Sequence, residues 1–102
     1  MTESFTLSFQ AVDRVLHRAH VGVVASGDLE LLLEPAADSS SVRVLTMIPG
    51  HGKTWAKVLE RFFQRYPYQV AIEINDHGAT PGVVWLRLEQ AIELSLKESS
   101  CA

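Results

Sequence analysis

The residues of this sequence most able to do chemistry are Ser26 in Ser26-Gly27-Asp28, the cationic turn Gly50-His51-Gly52-Lys53-Thr54, the four histidines and the lone cysteine. The cationic turn has the look of a phosphate-binding loop, whose glycines and backbone N–H groups cradle phosphate while lysine and a hydroxyl complete the site. Its spacing fails, because the pattern G-x-x-x-x-G-K-[ST] needs glycine at position 47, where Met47 stands, and Pro49 removes an N–H donor. A strand-to-helix turn is the simpler reading. His17, His20, His51 and His77 form no helix-face pair with a carboxylate at ligand spacing, so no metal site is expected. Ser39, Ser40 and Ser41 sit in no G-x-S-x-G elbow, and the sequence offers no catalytic residue. Cys101 lies in a polar tail with no neighbour that would activate its thiol, and a single cysteine excludes an internal disulfide.

Ser26 differs from these by its place. Two β-rich runs, residues 20–25 and 29–34, flank Ser26-Gly27-Asp28 and predict a tight hairpin. Glycine at position 27 can take the positive φ such turns demand, which leaves Ser26 at the tip, facing solvent. Ser-Gly is also ordinary turn chemistry, so geometry alone does not make the serine a modification site.

The elements that must position these residues follow from periodicity. Phe5, Leu7 and Phe9 alternate with polar residues as an edge strand would, and residues 11–18 read as a connection with one helical turn. Pro35 ends the second hairpin strand, residues 38–41 turn the chain, and residues 42–48 form another strand, which together suggest an antiparallel meander. Trp55, Leu59, Phe62 and Tyr66 line one face of a helix closed by Pro67, and Val70, Ile72 and Ile74 alternate as a further strand. Thr80-Pro81 matches an N-cap with proline at the first helical position, ahead of an apolar stripe at Val84, Leu88, Ala91 and Ile92. Val84, Leu86 and Leu88 also alternate, which keeps a strand as the alternative there. The expected fold is α+β, a two-layer sandwich with a mostly antiparallel four- to five-stranded sheet and two amphipathic helices on one face. One domain over residues 1–102 is expected, with 97–102 as a flexible tail.

Composition narrows the function classes. The 47% hydrophobic and 21% charged content suits a folded globule and not a disordered chain. A formal charge of −3 with no basic cluster argues against nucleic acid. No apolar run reaches the roughly 20 residues of a membrane span, and Met1-Thr2-Glu3-Ser4 lacks the cationic start of a secretory signal. A cytoplasmic protein without membrane contact is expected.

Two segments add a resemblance. Val23-Val24-Ala25-Ser26-Gly27-Asp28-Leu29-Glu30 resembles the prosthetic-group segment of the malonate decarboxylase delta subunit family of acyl carriers, and Asn75-Asp76-His77-Gly78-Ala79-Thr80-Pro81-Gly82-Val83 with Arg87-Leu88-Glu89-Gln90 resembles its distal motif. The similarity runs from Phe5 to about Glu98. The related citrate lyase carrier shares Ser-Gly-Asp and Asp-x-Gly-Ala but usually lacks Thr-Pro-Gly, so malonate is preferred. Ala25 stands where glycine commonly precedes the serine, and the tail from Ser99 has no counterpart.

The resemblance implies a non-catalytic carrier. Ser26 would hold 2'-(5''-phosphoribosyl)-3'-dephospho-CoA through a phosphodiester, with acetyl or malonyl on the terminal thiol during conversion of malonate to acetate and carbon dioxide. Implied partners are the transferase (alpha) and decarboxylase (beta, gamma) subunits, a malonyl transferase and the prosthetic-group transferase. Gly27 would supply backbone freedom. Asp28 would be a recognition contact for the attaching enzyme, since its charge repels a linking phosphate. Gly78, Thr80, Pro81 and Gly82 read as helix-start architecture, and Arg87 and Glu89 as docking charges or plain surface. The alternatives are a citrate lyase-type carrier, a small nucleotide-binding protein using Lys53 and Thr54, and an α+β interaction module without prosthetic group.

Overall fold

The computed structural model describes residues 2–97; Cys101 and the tail from residue 98 onward lie outside the described residues. The elements run β1 (Glu3–Gln10), β2 (Asp13–Arg14), β3 (Ala19–Gly22), β4 (Asp28–Pro35), β5 (Ser39–Thr46), α1 (Gly52–Arg65), β6 (Tyr68–His77) and α2 (Pro81–Leu96). The sheet order is β1-β5-β6-β4-β3, with the two-residue β2 pairing alongside the start of β6.

Strand register explains why one face is buried. Phe5, Val44, Ile74, Leu31 and Val21 stand opposite one another across the five main strands, and Leu7, Val42, Ile72, Leu33 and Ala19 form the adjacent row. These rows meet Trp55, Leu59, Phe62 and Phe63 of α1 and Val84, Leu88, Ala91 and Ile92 of α2 in one core cluster. Each fully buried leucine of β4 contributes about 1.5–3 kcal/mol relative to exposure. Phe62 centres the helix contact, with the rings of Phe63, Tyr66 and Trp85 at 5.4, 4.9 and 5.3 Å. The intervening residues, such as Arg43, Glu73 and Leu32, face solvent on the uncovered side of the sheet.

The α+β fold with two helices and a mostly antiparallel sheet stands as expected, and β1 is an edge strand. Three local readings are corrected. First, the meander fails: β6 inserts between β4 and β5, pairing antiparallel with one and parallel with the other. A parallel neighbour needs a long crossover, and α1 supplies it. Second, residues 11–18 contain no helical turn. They run extended across one end of the sheet, where Val12 and Asp13 N–H donate to the Pro67 carbonyl and Leu16 and His17 N–H donate to that of Ser95, with Ala11 and Val15 buried. Third, the reversal before β5 is made by Ala36, Ala37 and a left-handed Asp38, while Ser39, Ser40 and Ser41 belong to the strand. Buried Ser40 donates to the Tyr68 carbonyl and accepts from Val70 N–H, so a hydroxyl on the inward face satisfies β6 backbone. The helix expected after Thr80-Pro81 is present and the strand alternative is not: residues 84–88 are helical, and Thr80 Oγ1 accepts from Val83 N–H at 3.3 Å.

Candidate functional site

The hairpin loop is longer than a two-residue turn. β3 stops at Gly22, whose φ is +80°, and β4 starts at Asp28, which leaves residues 23–27 free of the ladder. Gly22 is obligatory there, because a Cβ would lie 2.0 Å from the Leu29 carbonyl oxygen. Beyond it the Ala25 N–H donates to the Val23 carbonyl, and the Asp28 N–H closes a β-turn on the Ala25 carbonyl at 3.0 Å. Ser26 and Gly27 are the central residues of that turn, with Gly27 at φ +79°.

Ser26 is exposed, as are Val23, Val24 and Ala25 beside it. A Cβ built at Gly27 meets nothing within 4 Å, so space beside the serine is open. The turn is nonetheless held. The Gly27 N–H donates to the His77 carbonyl at 2.7 Å, tying the loop to the end of β6, and Asp28 bridges to Gly78.

Asp28 ties the loop to α2. Its two carboxylate oxygens accept from Arg87 Nε at 3.1 Å and Nη2 at 2.6 Å, a bidentate fork, and Oδ1 also accepts the Leu29 N–H at 2.7 Å. Arg87 first, and then the Leu29 N–H, hold the Asp28 carboxyl below its ordinary range, and Asp28 in turn raises Arg87. The negative charge of Asp28 beside Ser26 is therefore offset by a guanidinium on the same carboxylate. Arg87 is no free docking charge, and Gln90 accepts from its Nη1 at 3.0 Å. Glu89 likewise is engaged, accepting from the Tyr66 hydroxyl at 2.6 Å.

Asp76 is the organising residue that the pattern of residue types did not single out. It lies on β6 in the inward register of Val70, Ile72 and Ile74, opposite Thr46 and Leu29, and is 3% exposed. Its carboxylate accepts from Thr46 Oγ1 at 2.8 Å, Gly78 N–H at 3.3 Å and Ala79 N–H at 3.0 Å, while its carbonyl accepts from Met47 N–H. The signal was available: a period of two that carries an aspartate inward demands polar partners at that strand end.

Beside this network a cleft of about 360 Å³ opens between the starts of α1 and α2, lined by Ile48, Thr54, Trp55, Val58, Ala79 and Val84 among others. Gly78 lines it and also lies against the Ser26 loop, since a Cβ there would stand 3.7 Å from Gly27 N and 4.0 Å from Ile48. The Gly50–Thr54 turn contributes His51 and Thr54 to the cleft and leads into α1. Lys53 is exposed in the first turn of that helix. The histidines do not converge: His20 faces Glu30 at 3.0 Å, His77 offers its carbonyl to Gly27, and His51 precedes α1. Among the described residues no three His, Cys, Asp or Glu side chains gather as metal ligands, and no described helix is long and apolar enough to cross a membrane.

Comparison with known proteins adds a family. Residues 16–95 match the malonate decarboxylase delta subunit family. The malonate decarboxylase acyl carrier protein of Stenotrophomonas maltophilia (strain K279a) is 54% identical over 79 residues, 74% of each chain. That of Pseudomonas putida (strain W619) is 46% identical over 93 residues, covering 89% of this chain and 94% of the relative. Among solved structures, a chain in the crystal structure of a Pseudomonas malonate decarboxylase hetero-tetramer in complex with malonate superposes with a TM-score of 0.85. It is 45% identical, covering 90% of this chain and 97% of that one.

Proposed function

The chain belongs to the malonate decarboxylase delta subunit family, and from that membership we propose that it is the acyl carrier of a cytoplasmic malonate decarboxylase, with Ser26 as the attachment point of its prosthetic group. The observation that carries the assignment is the exposed Ser26 hydroxyl at the apex of a turn whose backbone and acidic neighbour are bound elsewhere. The family match supports malonate over citrate as the system served.

The residues fit a phosphodiester-linked 2'-(5''-phosphoribosyl)-3'-dephospho-CoA. Ser26 Oγ would be the linking oxygen, and the open space beside Gly27 admits the attaching enzyme and the bulk of the arm. When bound, the group would supply a terminal thiol that holds acetyl or malonyl as thioesters. Asp28, given its fork with Arg87, keeps the turn at a fixed distance from α2 and presents no bare charge to the linking phosphate. Gly27 supplies the left-handed backbone that keeps Ser26 outward, and its N–H fastens the apex to β6.

The chain itself makes and breaks no bond of the substrate in this reading. Its contribution is delivery. A tethered intermediate reaches successive active sites at an effective concentration of about a millimolar for a short flexible arm. The sites themselves would lie on the transferase and decarboxylase subunits, with loading by a malonyl transferase and attachment by a prosthetic-group transferase.

Intact-mass measurement after co-expression with the prosthetic-group synthase and transferase tests the assignment. The expected result is an adduct on the wild-type chain and none on Ser26→Ala. An unmodified wild-type chain, or an adduct that survives Ser26→Ala, overturns it.

A further inference from the structure

The cleft between the helix starts has no part in anchoring Ser26, yet its wall residue Gly78 lies against Gly27 of the anchoring loop. We propose that it receives the adenosine of the arm attached to Ser26, so that the carrier seats the near end of its prosthetic group while the thiol end swings. The inference rests on the Ser26 reading.

Three observations favour this occupant. The first is covalent order: from serine outward the group runs phosphate, ribose, adenosine, diphosphate and pantetheine thiol, so the adenine is the first flat, largely apolar body after the anchor. The second is position, because Gly78, which lines the cleft, lies against Gly27, one residue from the anchor. The third is character. About 360 Å³ lies at the lower end of the 300–1,000 Å³ range of small-molecule sites, and its walls of Ile48, Trp55, Val58, Ala79 and Val84 suit a base. A diphosphate or a malonyl carboxylate would meet the Asp76 carboxylate there and no Lys or Arg side chain. Two larger depressions, one on the uncovered sheet face lined by Arg18, Glu34 and Glu73 and one lined by Arg61, Gly82 and Trp85, do not include Gly78, the wall residue that lies against Gly27.

Seating the base removes freedom from the near part of the arm only. The linking phosphate then stays close to the Asp28–Arg87 pair, and the remaining chain sweeps a smaller volume, which raises the local concentration of its thiol at a docked partner site.

Amide NMR of the unloaded and loaded full chain, with loading confirmed by intact mass, is the test. The expected result is resonance shifts at Thr54, Trp55 and Ala79 in addition to residues 23–28. In Ala79→Leu, which narrows the cleft away from Ser26, the adduct should form as before while the shifts at Thr54 and Trp55 are lost. Val58→Phe gives the same readout from α1 if Ala79→Leu fails to fold. A complete adduct with shifts confined to residues 23–28 overturns the inference and leaves the Ser26 reading standing. Cleft resonances that differ between the free-thiol, acetyl and malonyl forms also overturn it, because they place the far end of the arm there. No adduct at Ser26 overturns the underlying reading and this inference with it.

Discussion

The two glycine turns at the same end of the sheet, residues 23–28 and 47–51, are built from similar residue types and do different work. Each has a left-handed glycine, Gly27 at φ +79° and Gly50 at φ +93°, and in each a Cβ would meet open space. The first joins two paired strands, and its backbone is tied to β6 through Gly27 and to α2 through Asp28. The second leads from β5 into α1, held by Met47 N–H on the Asp76 carbonyl, Ile48 N–H on Thr46 Oγ1 and Gly50 N–H on the half-buried Glu3. His51, at the cap position of α1, makes no side-chain capping bond. The difference teaches that two turns of like composition are told apart by where their flanks are fastened. The 23–28 turn is bound to two other elements and leaves one hydroxyl outward, whereas the 47–51 turn is a connector and a cleft wall.

Substitutions can break or sharpen that contrast. The largest effect is expected at Gly22, where the Ser26 loop leaves β3. Gly22→Ala places a Cβ against the Leu29 carbonyl at an already left-handed φ, and should cost about 3 kcal/mol or more by urea denaturation. A similar cost is expected for Asp76→Ala, which strands the Gly78 and Ala79 N–H groups and takes away the nearer acceptor of the Thr46 hydroxyl. A loss of about 2–4 kcal/mol should appear in the same assay, with Asp76→Asn in between.

Next comes the pair that distinguishes the two turns. Asp28→Ala or Arg87→Met should each cost about 1–2 kcal/mol, and the double variant should lose clearly less than the sum. Because the Asp28 carboxyl lies below its ordinary value in the folded chain, the pair's contribution should be complete above about pH 4–5 and vanish as acid titrates the carboxylate. A stability difference between wild type and Asp28→Ala that persists unchanged in acid would contradict the pairing. Gly27→Ala should cost about 1 kcal/mol, the left-handed penalty alone, since space for the Cβ is open. Smallest of all, Lys53→Ala in the connector should change stability by less than about 0.5 kcal/mol and leave the Ser26 adduct unaltered in intact mass.

Much of this fold was legible in the residues. Alternation located β1, β5 and β6 to within a few residues and named the inward residues of β1 and β6, because one covered and one open face impose a period of two, while β4 was read from a β-rich run. Thr80-Pro81 marked the start of α2 through the geometry of a helix end, and the outward placement of Ser26 followed from glycine after it. The pairing of β4 and β5 was misread because neighbours in sequence are the default partners in space, and only the crossover through α1 brings β6 between them. The extended run of residues 11–18 was missed for a related reason: its order comes from carbonyls of Pro67 and Ser95, far along the chain.

The sequence by itself determined which side chains face inward, where the helices begin, and that a serine followed by glycine crowns a turn, since these depend on backbone stereochemistry and local period. Tertiary structure alone decided that Asp28 meets Arg87, 59 residues away, that Asp76 gathers the ends of two loops, and that a cleft opens beside Gly78. Those contacts join distant segments, and their existence depends on strand order, which no local preference of the chain encodes.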